Sequence, residues 1–344
     1  MERKIKFGVF ADLHVDIMHD TQQRLEKFLD ACRKENVDFI IQLGDFCYPD
    51  ENRTVVCKPE NMPPNIKLAI SVPTYADKDA IIGMFNNFEK PSYHVLGNHE
   101  CDMCSKKETL QYYNMNHESY YSFDMGGFHF VVLDCSYYLK DGKYVAYENG
   151  NYFDESYHKE RVLPYMPPEE IEWLREDLAN TKYPSILFSH QCLSPNNAIS
   201  ILNSDAVREV LTSAPNKVLA SFNGHEHWDY DVKYDDIWYI NINSMSCLWI
   251  DEDFVVENVY GEEIDEKYPN IKYVVPYEES NFAIVTIGED GLDIKGTPNK
   301  YYGPSPEERG LYRMKSSWWF ENNYCNRPKH TPGIEDRFLP IFNK

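Results

Sequence analysis

The sequence predicts an α/β fold, a mixed sandwich in which two sheets face each other with helices outside. Three observations carry that prediction. Short apolar runs alternate with helix-period segments in the N-terminal part of the chain. Farther on, apolar runs pair across tight turns. Five polar motifs each stand where an apolar run ends, which is the edge where open α/β sheets gather their ligands.

Taken in order, Ile5 to Ala11 reads as a buried strand ending at Asp12. Leu25, Phe28, Leu29 and Cys32 follow at helical spacing and predict a helix. Phe39-Ile40-Ile41-Gln42-Leu43 is the next strand, stopped by Gly44-Asp45. Proline and polar residues from Cys47 to Pro73 predict an excursion over the surface, an insertion at about 46–75. Asp77 to Phe88 is helical, with Ile81, Ile82, Met84, Phe85 and Phe88 as its apolar face. Tyr93-His94-Val95-Leu96 forms a third strand, closed by Gly97-Asn98-His99.

Tyr120–Phe123 and Phe128–Leu133 flank Met125-Gly126-Gly127, a hairpin signal. A second excursion, dense in tyrosine, spans 138–166. Pro168 to Leu178 is a helix with proline in its first turn and Trp173 and Leu174 inward. Ile186–Phe188 leads to His190, and Val218–Phe222 leads to Gly224-His225. Ile237–Ile242 adds a strand, and Phe282–Ile287 and Leu292–Lys295 pair across Glu289-Asp290-Gly291. Residues 1–300 are expected to form one domain with two insertions, and 301–344 an aromatic-rich tail that wraps it through residues such as Trp318-Trp319.

Composition excludes some functions. Lys plus Arg number 34 against 56 Asp plus Glu, a formal charge of −22. That balance argues against bulk binding of nucleic acid or of an anionic membrane. It would also repel a phosphorylated substrate at long range, so a phosphate site needs local positive charge of the kind bound metals supply. Nine scattered cysteines predict free thiols in a reducing compartment. The chain enters its first strand directly, leaving no room for a signal peptide's apolar segment before Asp12. No apolar run approaches the ~20 residues of a membrane span. A soluble, cytoplasmic protein is expected.

The five motifs are Asp12-Leu13-His14, Gly44-Asp45, Gly97-Asn98-His99-Glu100, Ser189-His190 and Gly224-His225-Glu226-His227. They supply carboxylate, imidazole and one amide oxygen, enough for two divalent metals. Two ions roughly 3.5–4 Å apart need a bridging ligand, and Asp45 with its two oxygens suits that place. His225 and His227, like Asp12 and His14, would project to one side of an extended segment. Asn98 offers a neutral oxygen, which limits negative charge where an anion must land. Mixed nitrogen and oxygen donors suit manganese, iron or zinc.

In this series the chain resembles the calcineurin-like metallophosphoesterases, from Asp12 to His227. The resemblance implies a four-layer α/β-β/α sandwich with a dinuclear centre at the loop ends of its sheets. It implies that Asp12, His14 and His227 hold one metal, that Asn98, His190 and His225 hold the other, and that Asp45 bridges. His99 would face the substrate and protonate the leaving oxygen, with Glu100 orienting its ring.

The implied reaction is in-line attack of a metal-bound hydroxide on a small phosphorylated substrate. A phosphodiester or pyrophosphate is favoured, because no arginine within the motifs could clamp a dianion. The Gly-Asn-His-Glu motif and wide insertions are also similar to those of nucleotide diphosphatases that cleave ADP-ribose or CDP-alcohols, which points to a nucleotide-type substrate.

Two alternatives stand beside this reading. Tyr48, three residues after Asp45, matches the Gly-Asp-x-x-Tyr motif of purple acid phosphatases, which would make the protein a phosphomonoesterase. That subfamily carries glycine where this chain has His14, so His14 is the preferred ligand. A non-catalytic scaffold is the other alternative, and the intact ligand set argues against it.

Outside the motifs, His19, His94, His117, His129, His158 and His330 are assigned to surface or packing. Cys101 and Cys104 lack the second pair of a zinc site. Tyr137, Tyr138, Tyr144, Tyr147, Tyr152, Tyr157 and Tyr165 are expected to anchor the excursion rather than to line a base-stacking wall.

Overall fold

Strand Ile5–Phe10 (β1) is apolar on both faces because both are covered, and it lies inside the first sheet. The computed structural model describes residues 4–49, 55–56, 58, 62, 67, 76–115, 118–153, 164–195, 200–250, 252–311 and 329–341. β1 pairs in parallel with Phe39–Gln42 (β2), which pairs in parallel with Ser92–His94 (β3). On its other side β1 runs antiparallel to Ala283–Ile287 (β14), followed outward by Gly291–Lys295 (β15) and Arg337–Pro340 (β16).

The second sheet has six strands as well. Tyr121–Met125 (β4) and Phe128–Val132 (β5) form the expected hairpin over Gly126-Gly127. β5 is parallel to Ser185–Phe188 (β8), β8 to Val218–Asn223 (β9), and β9 to Ile237–Asn241 (β11). Tyr230–Tyr234 (β10) closes that edge antiparallel to β11.

Between the sheets lies a phenylalanine-rich core. Phe7 stacks on Phe39 at 4.9 Å and meets Phe188 and Phe222 edge-on at 5.6 and 5.8 Å. Each ring buried this way is worth about 1.5–3 kcal/mol over its exposed state. Helices Thr21–Glu35 and Lys78–Asn86 cover the outer face of the first sheet, placing Leu25, Phe28, Ile81 and Phe85 against Phe10 and Ile40. Helices Pro168–Asn180 and Ser204–Ser213 cover the second sheet through Leu174, Leu178, Val207, Val210 and Leu211. Four layers result, as the sequence leads one to expect.

Local chemistry ends these helices. Asp77 caps Lys78–Asn86 by accepting from the Ala80 amide at 3.0 Å. Ser105 and Glu108 form a capping box on helix Lys106–Tyr112. Asn36 stops Thr21–Glu35 in the left-handed region, with φ 48°.

Some elements depart from the sequence reading. The tyrosine-rich excursion contains a hairpin, Tyr137–Lys140 (β6) and Lys143–Ala146 (β7), turned at Asp141-Gly142. Trp173 is only half-buried, beside Tyr120 at 4.9 Å. A small sheet of Cys247–Trp249 (β12) and Val274–Pro276 (β13) stands beside the two large ones. Most of the 46–75 insertion, Trp318-Trp319, His117, His158 and Tyr157 lie outside the described residues. Among the described residues, no helix is long and apolar enough to cross a membrane.

Candidate metal centre

Because β1, β2 and β3 run parallel, and β8 and β9 run parallel, the five motifs leave their strands at carboxyl ends. Asp12 and His14 follow β1, Asp45 follows β2, Asn98 and His99 follow β3, His190 follows β8, and His225 and His227 follow β9. The structure brings all of them together.

It does so with strained backbone rather than the extended segments expected for Asp12-x-His14 and His225-x-His227. Asp12, His14, Asp45, His225 and His227 all have positive φ, at 53°, 52°, 52°, 68° and 51°. Left-handed geometry costs a non-glycine residue about 1–3 kcal/mol and survives only where the surroundings over-determine it. Here the Asp12 amide donates to the Gly44 carbonyl and the His14 amide to the Asp45 carbonyl, both at 3.0 Å. The His225 amide donates to Asp12 Oδ2 at 3.0 Å. Two glycines make the crossing possible. Gly44 has φ 96°, and a Cβ on Gly97 would lie 2.2 Å from Asp45 Oδ1.

Two clusters of donor atoms result, Asp12 with His14 and His227, and Asp45 with His190 and His225. In the first, His14 Nε2 and His227 Nε2 are 3.2 Å apart, and Asp12 Oδ1 is 3.3 Å from His227 Nε2. In the second, His190 Nε2 lies 3.1 Å from Asp45 Oδ2, 3.2 Å from His225 Nδ1 and 3.2 Å from Asn98 Oδ1. Asp45 Oδ2 is also 4.0 Å from His14 Nε2, so this one oxygen faces both groups.

Two of the remaining ring nitrogens are held by backbone carbonyls. His190 Nδ1 donates to the Leu43 carbonyl at 2.7 Å and His227 Nδ1 to the Cys247 carbonyl at 2.6 Å. Such outer bonds set the tautomer that leaves Nε2 as ligand. Asp12 Oδ1 is buried and has no hydrogen-bond partner, a costly condition that a cation at this place relieves. The residues therefore fit two divalent cations, one at each group.

Charge follows the same pattern. Burial holds the His14 imidazole well below its ordinary value and so keeps it neutral, as a ligand must be. Burial opposes charge on His190 too, but Asp45 outweighs it and raises that ring to about 9. His227 is likewise raised, with Asp12 overcoming desolvation. Burial disfavours the Asp45 carboxylate, yet His190 and His99 hold it well below the carboxylate range.

His99 stands beside these groups, with its ring 5.4 Å from that of His14. The carboxylate that orients it is not the one expected. Glu100 points away and accepts from the amides of Asp45, Phe46 and Gly97 and from the Tyr113 hydroxyl, so it holds the Asp45 loop. Burial and the neighbouring Asp45 push its carboxyl up to about 7. Asp102 instead takes His99 Nδ1 at 2.6 Å, and its other oxygen accepts from Tyr152. Burial opposes charge on His99, but Asp102 and then Asp45 raise it to about 10. Asp102 is the site residue that the sequence reading passed over. Its signal was the three-residue step from His99 within one short helical turn. Trp249 stacks on His99, with centroids 5.2 Å apart and planes 13° from parallel.

Tyr48 belongs to neither donor group. It is buried with Met103 and Cys104, and the Lys78 ammonium sits 3.8 Å above its ring. In the excursion, Tyr138 and Tyr147 are buried anchors beside Cys101.

Comparison with known proteins agrees with this geometry. Residues 5–229 match the family described as calcineurin-like phosphoesterase. A dimetal phosphatase from Danio rerio is similar in structure, with a TM-score of 0.57 and 17% identity, covering 89% of this chain and 100% of that one. A putative 5′-nucleotidase from Staphylococcus aureus, with a TM-score of 0.44 and 14% identity, covers 92% of this chain and 58% of its own. No curated protein gives a significant sequence match. With its family match spanning all five motifs, the chain belongs to the calcineurin-like phosphoesterases.

Proposed function

We propose that this centre hydrolyses a phosphodiester or pyrophosphate bond. Asp12, His14 and His227 would hold one divalent cation, Asn98, His190 and His225 would hold the second, and Asp45 would be shared by both. The single observation that carries the reading is the shared carboxylate, with Asp45 Oδ2 3.1 Å from His190 Nε2 and 4.0 Å from His14 Nε2. The structural likeness to a protein named as a dimetal phosphatase supports phosphate ester chemistry. When bound, such ions activate water near neutral pH and neutralise developing charge on phosphoryl oxygens.

The chain's own residues do the rest. His99 Nδ1 is engaged by Asp102, so Nε2 is the ring atom available to deliver a proton to the leaving oxygen. Asp102 and Trp249 fix the ring from its edge and its face. Glu100 holds the Asp45 loop through backbone amides, while Asp45 Oδ1 accepts from the His99 amide at 2.8 Å and Oδ2 faces both donor groups. Half-exposed Trp249 also offers an aromatic surface for an organic substituent on the leaving side, which favours a diester or pyrophosphate over a simple monoester.

The test is a panel of nucleotide pyrophosphates, bis(p-nitrophenyl) phosphate and p-nitrophenyl phosphate with manganese-loaded protein. The reading expects higher kcat/KM on the first two. A clear preference for the monoester would overturn the substrate assignment, and no turnover on any of the three would remove the hydrolase.

A further inference from the structure

His227 is held at two points. Its ring is fixed by the Cys247 carbonyl, and its own carbonyl, in a residue with φ 51°, lies 2.8 Å from His330 Nε2. His330 comes from the C-terminal segment, 103 residues away and beyond the 5–229 region that matches the family.

One neutral tautomer suits both ring nitrogens of His330. Nε2–H donates to the His227 carbonyl and leans toward Tyr277 Oη at 3.1 Å, whose hydroxyl donates to Asn243 Oδ1 at 3.0 Å. Nδ1 accepts from the Tyr301 hydroxyl at 2.7 Å. Trp228 packs edge-on against the ring at 4.8 Å.

The backbone that carries His330 is itself anchored. Asn243 Nδ2 donates to the carbonyls of Thr331 and Gly333 at 3.2 Å, and Asn281 Nδ2 to that of Pro332 at 2.6 Å. Farther on, Arg337 reaches Asp229 and Asp231, both at 2.9 Å. A left-handed histidine needs such external constraint to stay in place.

We propose that His330 is a positioning residue for the metal ligand His227, so that the C-terminal segment completes the Asp12–His14–His227 site. This rests on the ligand assignment above. Outer-shell partners of metal ligands typically change affinity by about 10–100-fold when removed.

The test is Mn2+ titration calorimetry, with elemental analysis, on the full-length chain. Wild type binds two ions, and His330→Ala weakens one of them by about 10–100-fold while leaving the other unchanged. Lys217→Ala, which removes the 2.7 Å bond to the Ile341 carbonyl at the end of the tail and lies outside the anchors of His330, leaves both unchanged. Unchanged binding in His330→Ala, equal weakening of both ions, or the same effect from Lys217→Ala would each overturn the proposal. Should His330→Ala lack native circular dichroism, Tyr301→Phe, which deletes only the hydroxyl bonded to Nδ1, is judged by the same outcomes with a smaller shift expected. A wild-type chain that fails to bind a pair of Mn2+ ions would instead defeat the ligand assignment.

Discussion

Asp12, His14 and His227 are buried together, whereas in the second group His225 is partly exposed beside buried Asp45 and His190. The first group takes its donors from residues whose backbones are tied to the Gly44-Asp45 turn and to the C-terminal segment. The second adds the neutral oxygen of Asn98 and leaves one edge accessible. An ion in the first group is therefore expected to exchange more slowly than one in the second, whose His225 is partly exposed. The two sites share Asp45, so their difference has to be tested ion by ion.

Removing the shared ligand erases the distinction. Asp45→Ala is expected to release both ions and to lower turnover by more than about 100-fold. Full retention of both in elemental analysis would take Asp45 out of the bridge. His99→Ala leaves both sites occupied but cuts kcat by about 10²–10⁴-fold on a substrate with a poor leaving group. Its loss on a nitrophenyl ester is smaller, since nitrophenolate needs little protonation. Equal losses on the two substrates would refute the proton-donor role.

Single-site variants sharpen the contrast. His227→Ala should empty the first group and His225→Ala the second, each leaving one ion. A chelator added to wild type should draw out the second-group ion first, seen as a biphasic release of Mn2+. Release in one phase would mean the two enclosures do not differ. Asp102→Asn, which keeps the shape but loses the charge beside His99, is expected to reduce kcat by about 10-fold with KM and metal content unchanged.

Protonation gives the most graded effect. Asp45 holds a proton on His190 up to about 9, and an entering cation must displace it. Mn2+ affinity at the second group should therefore rise with pH throughout the range below about 9 and level off there. Calorimetry in buffers of different ionisation heat would count the proton released. Affinity that is flat over this window would contradict the charge assignment.

Much of this was legible in the chain. Each motif follows a run made mostly of apolar residues, so Asp12, Asp45, Asn98, His190 and His225 stand out. Period and turn chemistry likewise marked the helices at Thr21–Glu35 and Lys78–Asn86 and the β4–β5 hairpin.

What escaped the sequence depended on conformation or on distant partners. An i, i+2 pair reads as extended, yet Asp12 and His14, and His225 and His227, all turn through positive φ. Glu100 and Asp102 are both close to His99 in the chain, and only the local turn decides which carboxylate meets the ring. His330 acts through the backbone of a residue far from it in sequence, and no local pattern announces such a bond. Asp141-Gly142 was a hairpin signal hidden inside a segment whose tyrosines drew the attention.

The most direct measurement is anomalous scattering from crystals grown with Mn2+. The account predicts two peaks roughly 3.5–4 Å apart, with the Asp45 carboxylate between them, one beside Asp12, His14 and His227 and the other beside Asn98, His190 and His225. A single peak, or peaks away from these seven side chains, would contradict it.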